Sequence, residues 1–227
     1  LRALQDLDAV DQAPAVAALL DHAAPQIRAT ALKALAALGA VDHTAAVAAR
    51  LDDEDRSVRL AALRALGDLD AVERAPAIAR RITEESCDVR VAAIAALGAL
   101  DARDHIDAIS QQLGERGCTK DPETRAVALG VLGDLGAAAH APAIADELLR
   151  LSIRLDGGWS SRPGMSSTRR AAERALLSLP RVPVPQTSLA ALAHTYRDPT
   201  VAAFYRAWAY VLGGGESVAV TGVRFLG

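Results

Sequence analysis

Arg59-Leu-Ala-Ala-Leu-Arg-Ala-Leu66 decides the fold, because the chain repeats it. Thirty-one residues earlier stands Arg28-Ala-Thr-Ala-Leu-Lys-Ala-Leu35, and thirty-one later Arg90-Val-Ala-Ala-Ile-Ala-Ala-Leu97. The frame is Arg, then Ala three residues on, an aliphatic four on and Leu seven on. It recurs at Arg125 to Leu132 and, more loosely, at Arg169 to Leu176, so the arginines are spaced 31, 31, 35 and 44 residues apart. Positions three, four and seven apart share one face of an α-helix, so each copy is a helix with one buried stripe. Ile27, Val58, Val89, Thr124 and Thr168 precede the arginines and extend the pattern.

A second helix precedes each of these. Val16, Val47, Ile78, Ile109 and Ile144 are each followed four residues later by Leu20, Leu51, Ile82, Leu113 and Leu148, an i, i+4 stripe. Pro14, Pro76 and Pro142 stand two residues before the first member, where a helix tolerates proline because its missing N–H would have no partner. The turns between the helices are acidic, as in Asp52-Asp-Glu-Asp55 and Glu84-Glu-Ser-Cys-Asp88. Their carboxylates sit where they can cap the next helix and complement its dipole. The unit is therefore a helical hairpin, with an A helix followed by a B helix. Leu1, Leu4 and Leu7 align with Leu32, Leu35 and Leu38, so the expectation is a chain that opens inside a B helix and continues an upstream array.

Asp55-x-x-Val58-Arg59-x-x-Ala62-Leu63-x-x-Leu66-Gly67 and its copies resemble the HEAT-repeat family, in particular the short bacterial HEAT-like repeats of phycobilisome lyases. The resemblance covers about residues 1–180. It implies an all-α, right-handed α-solenoid of about five to six stacked antiparallel helix pairs, with B helices lining the concave surface. It further implies a surface for interaction, the role of most members, although a few are enzymes.

The composition fits that architecture. Of 227 residues 51% are hydrophobic but only 3% are aromatic, so the core must be aliphatic and alanine-rich. A formal net charge of −3 argues against a general polyanion binder. No apolar run approaches the ~20 residues of a membrane span. The two cysteines, Cys87 and Cys118, give neither a disulfide framework nor a metal quartet, and as free thiols they point to a reducing, cytoplasmic setting.

Catalytic signatures are missing from the sequence. There is no Gly-x-Ser-x-Gly elbow, P-loop or dinucleotide fingerprint. His43, His105 and His140 occupy one repeat position, and equivalents one repeat apart are too distant to share a metal. The reading is therefore not an enzyme, with no cofactor and no metal; a lyase-type subunit is a remote alternative carried by family analogy alone.

Departures from the period mark the candidate contact residues. The 44-residue spacing adds a Gly/Ser-rich loop at 156–167 that holds Trp159, Arg162 and Met165, and exposed Trp and Arg are favoured anchors at interfaces. Among the B-helix cations, Arg28, Arg59, Arg90 and Arg125 lie beside the acidic turns and are expected to form an Asp–Arg ladder. Lys33, Arg64, Arg170 and Arg174 have no such neighbour and are candidates for gripping an acidic peptide or a phosphate backbone. Residues 181–227 break the pattern. An extended Arg181-Val-Pro-Val-Pro185 leads to an aromatic-rich helix pair, expected to cap the array, and a short tail. Taken together, the expected function is a cytoplasmic protein-interaction scaffold within a larger polypeptide. Its partner would be a protein or a fused domain on the concave B-helix face, with nucleic acid as the second reading and no membrane.

Overall fold

In a computed structural model, residues 9–83, 86–113, 122–141, 143–144, 147 and 165–178 are described. They are helical, and no strand occurs among them. The α-helices are α1 (Ala13–Ala18), α2 (Pro25–Ala37), α3 (Thr44–Ala49), α4 (Arg56–Asp68), α5 (Ala75–Ala79), α6 (Cys87–Ala99), α7 (Ile106–Ser110), α8 (Pro122–Asp134) and α9 (Met165–Ser178). The chain divides into two compact units, residues 1–128 and 129–227.

In the first unit the two helix types differ in build. The B helices α2, α4 and α6 are each 13 residues long and begin 31 residues apart. An A helix is a short α segment between two 3-10 turns, as in Val41–His43, Thr44–Ala49 and Arg50–Asp52. The tight final turn stops the A helix and throws the next residue into an extended conformation. His22 (φ −65°, ψ 143°) and Asp53 (φ −61°, ψ 142°) show the same geometry one repeat apart. The A helices α1, α3 and α5 pack on their own B helices, and B packs on B, α2 on α4 and α4 on α6.

The apolar residues that set the sequence frame are the core, apart from Ile27, which is exposed. Leu32, Leu35, Val47, Val58, Leu63, Leu66, Ile78, Ile82, Val89, Ile94, Leu97 and Ile109 are completely buried. Alanine at Ala31, Ala62 and Ala93 lets neighbouring helices come close, and all three are buried as well.

The B helices α2, α4, α6 and α8 end in the same way. Gly39, Asp70 and Asp101 take positive φ (64°, 53° and 47°), and Gly136 repeats the turn in the second unit (φ 65°). In the first copy Ala40 N–H donates to Leu35 C=O at 3.0 Å and Gly39 N–H to Ala36 C=O at 3.0 Å, which satisfies carbonyls the helix would leave unpaired. Glycine adopts this backbone freely, whereas Asp70 and Asp101 adopt it at some cost.

In the second unit, the C-terminal end of α8 meets α9. A Cβ placed on Gly133 would lie 2.7 Å from the Ala175 Cα, so only glycine permits this approach. Helix α9 begins at Met165, which shortens the expected 156–167 loop at its C-terminal end. Met-Ser-Ser-Thr168 supplies the first turn of the helix that carries Arg169. The expected cap at 181–227 lies outside the described residues.

Candidate binding groove on the B helices

The arginines that open the first frames, Arg28, Arg59 and Arg90, are tied to their own A–B turns. Arg28 Nη1 donates to the carbonyls of His22 and Ala23, both at 3.0 Å. One repeat on, Arg59 Nη1 donates to the carbonyls of Asp53 (2.8 Å) and Glu54 (3.1 Å). The extended residue after the A helix turns these carbonyls toward the guanidinium. Arg28 also reaches the next repeat, with Nε to Asp53 Oδ2 at 2.9 Å and Nη2 to Asp53 Oδ1 at 2.6 Å. Burial opposes the charge on Asp53, but the Arg28 hydrogen bonds and the Asp55 amide hold its carboxyl below the usual carboxylate range. Arg90 bonds Gln112 Oε1 (3.5 Å) and the Thr83 carbonyl (3.4 Å), and Arg125 is half-buried on α8.

The A helices carry a second set of cross-repeat bonds that the sequence reading did not include. Arg50 pairs with Asp21 at 3.1 Å, and Arg81 with Asp52 at 2.7 Å. Both pairs join the last turn of one A helix to that of the preceding one. The signal was present as Arg and Asp recurring at a 31-residue offset.

Between α4 and α6 the B-helix surface opens into a groove of about 900 Å³. Its floor is apolar and low, including Leu60, Gly67, Val91, Ala92, Ala95 and Ala99. At its N-terminal end Arg56 and Asp88 form a two-point ion pair, with Arg56 Nε to Asp88 Oδ1 at 2.9 Å. The Ser86 hydroxyl also donates to Asp88, and together these bonds hold the Asp88 carboxyl below its ordinary range although burial opposes it. Glu123 lies at the same end, and Arg64 and Asp68 line the C-terminal half.

Arg64 is therefore a groove residue. Lys33 occupies the equivalent position on the neighbouring α2, and both side chains are exposed. Neither makes a hydrogen bond or ion pair with a described residue. Arg170 and Arg174 are exposed on α9, in the second unit. Met165 is placed only as the first residue of that helix. Trp159 and Arg162 lie outside the described residues.

Cys87, the first residue of α6, also lines the groove, and it is disulfide-bonded. This corrects the expectation of a free thiol at Cys87; Cys118 lies outside the described residues. The argument from cysteines to a reducing compartment falls with it. A low cysteine count says nothing about proximity.

No cluster of three or more His, Cys, Asp or Glu able to hold a metal occurs among the described residues, nor is any described helix long and apolar enough to cross a membrane. No curated protein matches the sequence. The fold is similar to the complex of CpcE and CpcF of phycocyanin lyase from Nostoc sp. PCC7120, with TM-score 0.60, 22% identity, and coverage of 84% of this chain and 73% of that one. It is also similar to an engineered protein, with TM-score 0.56, 16% identity, and coverage of 90% and 98%. At these identities the likeness concerns the fold alone. Residues 13–88 match the HEAT-repeat family model, and the described residues share the all-α, helical-repeat fold of these structures.

Proposed function

We propose that this chain is a protein-binding module whose partner docks on the exposed face of the B helices, in the α4–α6 groove. The carrying observation is the groove itself, about 900 Å³ of concave surface with a floor of alanine, leucine and valine. Apolar area presented in a concavity gains free energy when a partner removes it from water. The polar side chains around it are in part already committed, as with Arg56 and Asp88. The HEAT-repeat match supports the reading, as does the likeness to a structure that is itself a complex of two proteins.

Nucleic acid fits the groove less well. Arg64 would attract a phosphate, but Asp68 and Glu123 line the same space and would repel it, while Arg56 is already paired with Asp88. A lyase-type activity has no reacting group assigned to it and rests on the likeness to phycocyanin lyase alone. Trp159 and Arg162 remain proposed contacts of the same partner.

A photo-crosslinking residue at Ala95, inside the groove, tests the reading against one at Ala45, exposed on the A-helix side. In extracts of the source cells, crosslinking to a defined protein from Ala95 and not from Ala45 is the expected result. Crosslinking from Ala45 alone, or to nucleic acid from Ala95, would overturn it.

A further inference from the structure

The groove has a backbone chemistry as well as a shape. Its walls are the flanks of α4 and α6, whose N–H and C=O groups are engaged within their own helices. No strand edge is available along it among the described residues. An extended segment laid on the alanine floor would lose water from its backbone and find no partner for it, at the cost of several hydrogen bonds. A helix brings its own hydrogen bonds and presents only side chains. The low floor at Ala95, Ala99 and Gly67 further suits a helix, because small residues let two helix axes approach closely.

Charge narrows the occupant further. Arg56 and Asp88 neutralise each other, which leaves Glu123, Arg64 and Asp68 as the charges lining the groove without a described partner. The B helices run in the same direction, so Glu123, in the first turn of α8, lies at the N-terminal end. Arg64 and Asp68, the ninth and last residues of α4, follow toward the C-terminal end. The order along the groove is thus negative, positive, negative.

From this we infer that the groove takes an amphipathic α-helix whose apolar stripe carries at its centre an acidic side chain, opposite Arg64. A basic residue lies on either side of it, opposite Glu123 and Asp68. The inference rests on the proposal that the groove is the partner site, and adds the secondary structure and charge order of the partner. Helices seated in grooves are read through anchors at i, i+3, i+4 and i+7, so the required pattern is specific enough to be found or missed.

The experiment is a random peptide library of about twenty residues, displayed and selected on the full chain. Binding of the enriched peptides is then measured by fluorescence anisotropy against the wild type, Arg64→Glu and Ala95→Arg. Both substitutions are at exposed positions, and circular dichroism of each variant checks that the fold is kept. The expected winners have helical apolar periodicity with a central Asp or Glu. They lose at least tenfold in affinity on Ala95→Arg, and on Arg64→Glu they regain affinity when their acid is changed to Lys. Winners that are extended or proline-rich but still blocked by Ala95→Arg would overturn the helix while sparing the groove. Winners indifferent to both substitutions would overturn the groove itself. Helical winners whose affinity for Arg64→Glu is not restored by the acid-to-Lys change would overturn the charge order.

Discussion

Arg28 spans both carboxylate oxygens of Asp53, a residue of the next repeat, while its Nη1 holds two carbonyls of its own turn. Both side chains are almost fully buried, at 8% and 5% exposure. A buried pair of this kind is costly to form and more costly to break, because the surviving charge is left in a poor solvent. Asp53→Ala is therefore expected to lower the thermal midpoint by about 5 °C or more. The double variant Arg28→Met, Asp53→Leu should recover part of that loss, the remainder reflecting the His22 and Ala23 carbonyls that lose their donor. Thermal unfolding of the three proteins measures this; equal damage from the single and double variants would mean that the pair is simply stabilising.

The same pair sets an acid limit. Asp53, Asp55 and Asp88 all have carboxyls held below the ordinary range, Asp55 by the hydroxyl and amide of Ser57. A carboxylate whose folded pKa is depressed adds stability above its unfolded value of about 3.9, and that stability is lost as pH falls through the folded value. The midpoint should be flat from pH 7 to about 5 and fall steeply below about 4. In Asp53→Asn it should start lower at pH 7 and fall less on acidification. An acid limb of the same steepness in that variant would remove Asp53 from the explanation.

Two glycines at the same repeat position should respond in opposite ways. A Cβ on Gly67 would sit 3.7–3.8 Å from Ala96 and Ala99, an ordinary contact, so Gly67→Ala should stabilise by up to about 1 kcal/mol through helix propensity. A Cβ on Gly133 would clash with the backbone of Ala175, so Gly133→Ala should destabilise. Chemical denaturation of the two variants checks the contrast.

The helix-ending turns offer a further test. Asp70 and Asp101 hold a left-handed backbone that glycine takes freely at Gly39 and Gly136. Asp70→Gly should raise stability by about 0.5–1 kcal/mol, and Gly39→Ala should lower it by a similar amount. No change in either would place the restraint elsewhere in the turn.

The core was legible in the sequence because burial imposes a period. Leu35, Leu66 and Leu97 recur every 31 residues, and each is completely buried. The groove was legible only in part. Arg64 was marked by lacking an acidic neighbour, but nothing in a period announces that Glu123 shares a concavity with Arg56 and Asp68. That depends on how far apart α4 and α6 stand. The Arg50–Asp21 and Arg81–Asp52 bonds were missed because the reading followed the B-helix arginines alone. Cys87 was misread because a low cysteine count carries no information about which thiols meet.

The central claim is that the B-helix groove, and not the A-helix side, meets the partner. Its most direct measurement is the affinity of the native partner for Ala95→Arg and Ala45→Arg, two exposed alanines on opposite helix types. A weakening of about tenfold or more for Ala95→Arg, with an unchanged melting temperature and no effect of Ala45→Arg, is the predicted result. Undiminished binding by Ala95→Arg, or loss of binding confined to Ala45→Arg, would contradict it.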